Sequence, residues 1–159
     1  KCIIDNERID LIYKNNIINR DIQSVLDCKS EDERNKKWCD IYKIYMDRYM
    51  KVEKNYNEFN KFMIRASDFG IKEAHSSAAD YFFYKRNYVE GERRLYLIYS
   101  SYEVIPKHIV ESILYNINKY LCDGNELTKG MDNLITFIIQ QGNVVLKNED
   151  GKYFLKKNK

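Results

Sequence analysis

The stretch of sequence that decides the fold is Tyr56-Asn-Glu-Phe-Asn-Lys-Phe-Met-Ile-Arg-Ala-Ser-Asp-Phe-Gly70. It predicts a helix from about Tyr56 to Phe69, because Gly70 suits the left-handed backbone position at which many helices end. Two later stretches, Tyr88–Tyr102 and Leu127–Gln141, resemble it loosely, and the three starts are 32 and then 39 residues apart. A period in the thirties is typical of stacked helix pairs.

Small residues follow this stretch at positions where helices would come close together. The pattern is Tyr56-x-x-Phe-x-x-Phe-x-x-Arg-Ala-Ser-x-x-Gly70, then Lys72-Glu-Ala74, Ala78-Ala79 and Tyr88-Val-Glu-Gly-Glu. With these residues, the chain over about 56–141 resembles the tetratricopeptide-like helical repeat proteins of the Sel-one-like kind. It departs from their pattern at Gly91, where the family normally has Ala, and in the third copy, which lacks the alanine pair. The resemblance implies protein binding on a concave helical face and supplies no catalytic residues.

The predicted fold class is all-α, with seven or so helices. Antiparallel helix pairs stack as a short, irregular solenoid or bundle within a single helical domain over 1–159, of which 56–141 are repeat-like. Residues 143–159 predict a small C-terminal β-hairpin, because Val145, Tyr153 and Leu155 flank the turn sequence Asn148-Glu-Asp-Gly151.

A well-marked helix precedes the repeat-like region. Ser30-Glu-Asp-Glu33 is a capping box, in which Ser30 accepts from the backbone N–H of Glu33. Apolar residues then recur at helical spacing and share one stripe, with Trp38 as the expected core anchor. The stripe consists of Trp38, Ile41, Tyr42, Tyr45, Tyr49 and Val52.

Composition limits the classes of partner. The 159 residues include 27 basic and 24 acidic side chains, a net charge of +3. Nucleic-acid-binding domains usually carry a larger basic excess on one face, so this class is not favoured. No apolar run approaches the roughly 20 residues that span a bilayer, so no membrane span is expected.

Motifs for catalysis, cofactors or metals are not evident. The two histidines, His75 and His108, lie outside any ligand or catalytic spacing, and the glycines form no phosphate-binding loop. We therefore expect a protein that is not an enzyme and that has no cofactor and no metal site.

The four cysteines leave the redox state open. Cys2, Cys28, Cys39 and Cys122 have gaps that do not suit zinc, and an even count permits one or two disulfides or four thiols. Because the chain begins at Lys1 rather than Met, we expect that an upstream segment was removed. Export to the periplasm or the outside of the cell is slightly favoured over the cytoplasm.

The expected function is a non-catalytic protein–protein interaction module, and a more specific hypothesis is an inhibitor or immunity-type protein that neutralises a toxin or enzyme. One alternative is an exported scaffold that recruits a partner without inhibiting it. Another is single-stranded nucleic-acid binding, because aromatic rings stand beside Lys85 and Arg86. The charged run from Glu90 to Arg94 is expected to be a solvated face or the rim of an interface. The candidate partner-binding residues are Tyr84, Lys85, Arg86, Tyr88, Glu92 and Arg93.

Overall fold

The computed structural model describes residues 2–142, 145–147 and 151–155, with side-chain surroundings for 14–142 and 151–153. This described part of the chain is all-helical, with a helix content of 78% and seven α-helices, which confirms the all-α prediction. None of the described helices is long and apolar enough to cross a membrane. A π-helix, Asp47–Val52, continues α2, and a short 3₁₀ turn, Lys72–Ala74, precedes α4. The helices are α1 (Cys2–Leu26), α2 (Glu31–Met46), α3 (Tyr56–Asp68), α4 (His75–Tyr84), α5 (Tyr88–Ser101), α6 (Lys107–Cys122) and α7 (Lys129–Gln140).

The chain forms two compact units, residues 1–71 and residues 72–159. They are called the N-terminal unit and the C-terminal unit below. The helix of the first repeat-like copy, α3, belongs to the N-terminal unit, whereas α5 and α7 of the later copies belong to the C-terminal unit. The single domain over 1–159 and the likeness to tetratricopeptide-like repeats stay predictions.

The predicted C-terminal β-hairpin over 143–159 is wrong as a part of the fold, which is all-helical. The tail contributes only two three-residue extended segments, Val145–Lys147 and Tyr153–Leu155, that run antiparallel. Residues 143, 144, 148–150 and 156–159 lie outside the described part of the chain. The tail is anchored by a helix: the Asn118 side chain on α6 donates to the Tyr153 carbonyl at 2.5 Å and accepts from its N–H at 2.7 Å. A two-stranded hairpin is marginal by itself, so this anchor decides where the tail lies.

The N-terminal unit is built around stacked aromatic rings. The Ser30 hydroxyl accepts from the Glu33 N–H at 3.2 Å, which confirms the capping box at the start of α2. Trp38 is buried and stacks on Phe62 of α3, with 5.9 Å between ring centroids. Tyr45 also stacks on Phe62, with 4.3 Å between ring centroids. Trp38 is therefore a core anchor, as its place in the stripe predicted.

The predicted stripe breaks where α2 passes into the π-helix. Trp38, Ile41, Tyr45 and Tyr49 are buried, but Val52 is 79% exposed. A π-helix has a wider turn than an α-helix, so each residue after its start is rotated away from the expected position. Including Val52 in the buried stripe was wrong, because the prediction assumed an unbroken α-helical period.

Close packing of α4 against α5 organises the C-terminal unit. The small residues Ala74, Ala78 and Ala79 are buried, as predicted for a close helix contact. Gly91 on α5 lies against the Phe83 ring so closely that a Cβ at this position would come within 2.8 Å of two ring carbons. An alanine at position 91 would therefore crowd the Phe83 ring.

One residue of the charged run on α5 is buried. Arg94 is only 3% exposed, so its placement on a solvated face was wrong. Its guanidinium lies 5.3 Å from the Phe82 ring centroid and bonds to Glu90 at 3.1 Å. A ring face and a carboxylate compensate the charge, which is the condition for burying arginine.

Candidate protein-binding groove

A groove of about 220 Å³ lies between α5 and α7 of the C-terminal unit. Leu95, Met131 and Leu134 are buried and form its floor. Tyr96 and Tyr99 form its open wall and are 65% and 39% exposed. Glu92, Gly130 and Asn133 complete the lining.

Helical spacing explains why α5 presents these side chains together. Glu92, Leu95, Tyr96 and Tyr99 are separated by three, one and three residues, so they lie on one face of the helix. Leu95, on the inner part of this face, packs on α7. The rings of Tyr96 and Tyr99 occupy its outer part. Exposed tyrosines beside a buried apolar floor are typical of protein-binding surfaces.

One end of the groove carries a carboxylate, that of Glu92. The Glu92 Oε1 accepts a hydrogen bond from the Thr128 hydroxyl at 2.6 Å. Thr128 is the N-cap of α7 and also accepts from the Met131 N–H at 3.1 Å. Glu92 therefore lies at the N-terminus of α7, where the partial positive charge of the helix end favours a carboxylate.

The other end of the groove is aromatic. The Tyr99 ring meets Phe137 of α7 edge to face, with 5.1 Å between centroids. Tyr96 lies next to Tyr99, at a centroid distance of 6.4 Å. The groove thus runs from a carboxylate at one end to a cluster of aromatic rings at the other.

The predicted partner-binding residues Tyr84 and Lys85 lie away from this lining. Tyr84 is 71% exposed at the end of α4. The ammonium groups of Lys85 and Lys119 both lie 5.7 Å from the centroid of its ring. Two cations already occupy the surroundings of the ring, which leaves less of its face for stacking a nucleic-acid base.

Arg86 and Tyr88 belong to another local arrangement, centred on Asp123. The Tyr88 hydroxyl donates to the Asp123 carboxylate at 2.6 Å, and the Arg86 guanidinium lies 3.7 Å from the same oxygen. This hydrogen bond is the main reason that the pKa of Tyr88 is raised. The Tyr88 ring also meets Tyr120 edge to face at 4.9 Å.

Of the six predicted residues, Glu92 lines the groove. Its neighbour Arg93 instead bonds to Glu90 at 2.6 Å, which holds the pKa of that carboxyl below its usual value. Sequence reasoning missed Tyr96 and Tyr99. The signal that could have found them is the density of aromatic residues, because Tyr88–Tyr102 contains four tyrosines.

A separate polar cluster joins α4 to α6. One Asp80 oxygen accepts from the Ser112 hydroxyl and from the Asn116 amide, both at 2.6 Å. Part of the Asp80 side chain reaches solvent, but neighbouring protein atoms displace water from its carboxyl. This burial raises its pKa, and the two hydrogen bonds offset part of the effect. His75 is buried in the same unit.

Cysteines and metal-ligating residues form no cluster in the described part of the chain. Cys28, Cys39 and Cys122 are free thiols, so the predicted disulfides have no support among these three, and the side chain of Cys2 lies outside the described residues. Within the described residues, no three His, Cys, Asp or Glu side chains come together in a way that could hold a metal ion.

Comparison with known proteins finds no match: no family model, no curated protein and no solved structure is similar to this chain.

Proposed function

We propose that this protein is a non-catalytic interaction module that binds a segment of another protein in the groove between α5 and α7. The observation that carries the proposal is the groove itself, with its buried apolar floor and its open wall of Tyr96 and Tyr99. The bound segment is an amphipathic helix with a basic residue near one end.

The dimensions of the groove support a helical segment. Glu92 to Tyr99 spans two turns of α5, or about 10 Å at the helical rise of about 1.5 Å per residue. A bound helix of two to three turns places one or two apolar side chains over such a length, at the i and i+4 positions. Tyr96 and Tyr99 supply large contact areas at a low cost in side-chain entropy, because tyrosine has few rotatable bonds.

Charge supports the orientation of that segment. The Glu92 carboxylate accepts a hydrogen bond from the Thr128 hydroxyl, and no described cationic side chain forms an ion pair with it. A Lys or Arg side chain of the bound helix donates a charge-assisted hydrogen bond to this carboxylate. The aromatic end of the groove, at Tyr99 and Phe137, takes the apolar end of the segment.

The action on the partner takes one of two forms. In the inhibitor form, which is that of an immunity-type protein, the bound helix belongs to the functional surface of an enzyme or toxin, and binding covers that surface. In the scaffold form, the helix lies elsewhere on the partner, whose activity is unchanged. One titration separates the two: activity falls to zero at one equivalent in the inhibitor form and stays constant in the scaffold form.

The experiment starts with capture of the partner from a native lysate on tagged protein. The purified partner is then titrated against wild type, against Tyr96→Ser/Tyr99→Ser and against Tyr115→Ser. Tyr115 is a matched control, because it is 66% exposed on α6 and lies outside the groove. We expect the groove variant to bind about tenfold more weakly or worse, since central aromatic residues dominate interface energies. Equal affinity of the groove variant and the control would refute the proposal, as would capture of nuclease-sensitive material alone.

A further inference from the structure

The N-terminal unit contains a second cavity, also of about 220 Å³, that the groove does not involve. It lies between the C-terminal half of α1 and the π-helix that follows α2. Ile17, Ile18 and the Tyr45 ring give it an apolar side. Arg48 and Tyr49 of the π-helix also line it.

The π-helix contributes Arg48 and Tyr49 to the lining of the cavity. The Glu53 N–H bonds to the Arg48 carbonyl at 2.9 Å, five residues back, rather than to the residue four positions back. The wider turn rotates the residues that follow it, as the exposure of Val52 shows, and Arg48 and Tyr49 of this turn line the cavity. Such turns are rare, and they occur often at functional sites.

Arg48 has an available charge. Its guanidinium lies 5.6 Å from the Tyr45 ring centroid, and no described carboxylate forms an ion pair with it. Asp21, the acidic group nearest to Tyr45, already accepts from the Tyr45 hydroxyl at 2.5 Å. Arg48 also donates a hydrogen bond to the Tyr49 side chain. A guanidinium has five N–H donors, so those that Tyr49 does not use are suited to a bidentate bond with a carboxylate or phosphate.

The remaining lining charges select among anions. Lys14 and Arg48 are cationic and Glu53 is anionic, so the described residues of the lining carry one excess positive charge. A bound monoanion neutralises this excess, whereas a dianion leaves a net negative charge. The apolar side at Ile17 and Ile18 favours a ligand with a hydrocarbon or aromatic body.

We propose that this cavity, called the Arg48 pocket, binds a small organic carboxylate with an apolar body. The carboxylate bonds to the Arg48 guanidinium, and the body packs on Ile17, Ile18 and the Tyr45 ring. The Arg48 pocket lies in the other compact unit from the groove, so its binding is tested separately from the proposed function.

The test uses phenylpropionate as the probe and follows amide shifts of isotope-labelled protein by NMR. We expect saturable shifts at residues around Arg48 and Tyr49. Phenylpropanol, a neutral compound of similar shape, should bind about tenfold more weakly, because it lacks the charge-assisted bond. Equal binding of the alcohol would overturn the proposal, as would the absence of saturable shifts at these residues up to millimolar probe.

Two variants separate the role of charge from general effects on folding. Arg48→Gln should weaken phenylpropionate binding about tenfold, whereas Lys51→Gln should leave it unchanged. Lys51 lies on the same π-helix but pairs with Asp47 at 3.1 Å and does not line the cavity. If Arg48→Gln does not retain the wild-type amide spectrum, Glu53→Gln replaces it. Removing that negative charge should strengthen probe binding, and an unchanged or weaker affinity would overturn the proposal.

Discussion

Glu92 on α5 lies so close to Gly130 in the first turn of α7 that a Cβ at position 130 would come within 2.8 Å of the Glu92 Oε1. The absence of a side chain at Gly130 therefore lets the carboxylate reach Thr128 at the helix N-terminus. This contact sets one end of the groove, and it leads to the first prediction.

Gly130→Ala should change the groove without destabilising the fold. The group that the new methyl meets is the far end of a flexible side chain, so Glu92 moves away from Thr128 at small cost. Alanine is also favoured over glycine inside a helix by about 1 kcal/mol. We expect the free energy of unfolding, measured in urea, to be unchanged or higher, and partner affinity to fall. A clear loss of stability would show that Glu92 is held rigidly.

Gly91→Ala should have the opposite effect on stability. Here the methyl meets a buried ring, with two Phe83 carbons at 2.8 Å. Overpacking costs about 1–3 kcal/mol, and the gain in helix propensity offsets about 1 kcal/mol of it. We expect a lower free energy of unfolding in urea. Phe83→Leu should lower the free energy of unfolding less in the Gly91→Ala background than in wild type. If the effects of the two substitutions on the free energy of unfolding were additive, the predicted contact between these residues would be contradicted.

Asp80→Asn should remove a dependence of stability on pH. Burial raises the pKa of Asp80 above its ordinary value of 3.8, so the folded state holds this proton more tightly than the unfolded chain. Wild-type stability therefore falls as pH rises from the ordinary pKa through the raised one. Asparagine keeps an oxygen acceptor for Ser112 and Asn116 but carries no charge.

The measurement is the free energy of unfolding of wild type and Asp80→Asn across acidic to neutral pH. We expect the two proteins to be nearly equal below the ordinary carboxyl pKa and the variant to be relatively more stable near neutral pH. A difference that does not change with pH would show that the Asp80 charge is well solvated.

Tyr45→Phe should destabilise the N-terminal unit. The Tyr45 hydroxyl donates to Asp21 at 2.5 Å and joins α2 to α1. Its loss leaves the carboxylate without this donor, at a cost of about 1–3 kcal/mol. Tyr42→Phe is the matched control on the same helix, where no hydrogen bond to a described residue is lost. The stability of the N-terminal unit in both variants is measured by hydrogen exchange of the amides in α1 and α2. Equal protection of these amides in Tyr45→Phe and Tyr42→Phe would contradict the prediction.

Much of the secondary structure could be predicted from local sequence. Ser30 caps α2 as expected, and Gly70 adopts the left-handed backbone, with a φ of +96°, at the end of α3. These features depend on residues within one or two turns of each other. The helix α5 also begins at Tyr88, the residue at which the sequence pattern predicts its start.

The errors have different physical origins: one is a local change of helical phase, and the others are contacts that the spacing within one segment does not show. Val52 leaves the buried stripe because a π-helix changes the helical phase. Arg94 is buried because Phe82 and Glu90 compensate its charge. The tail is directed by Asn118 of α6, a residue far from it in sequence.

The sequence by itself determined the helical class, the capped helix starts and the glycine at which α3 ends, because hydrophobic period and capping are properties of neighbouring residues. Only the tertiary structure decided that Tyr96 and Tyr99 border a groove and that Arg48 lines a cavity. Both sites are lined by residues from helices that are distant in sequence. The spacing of residues within one segment predicts neither the approach of α7 to α5 nor the change of helical phase after α2.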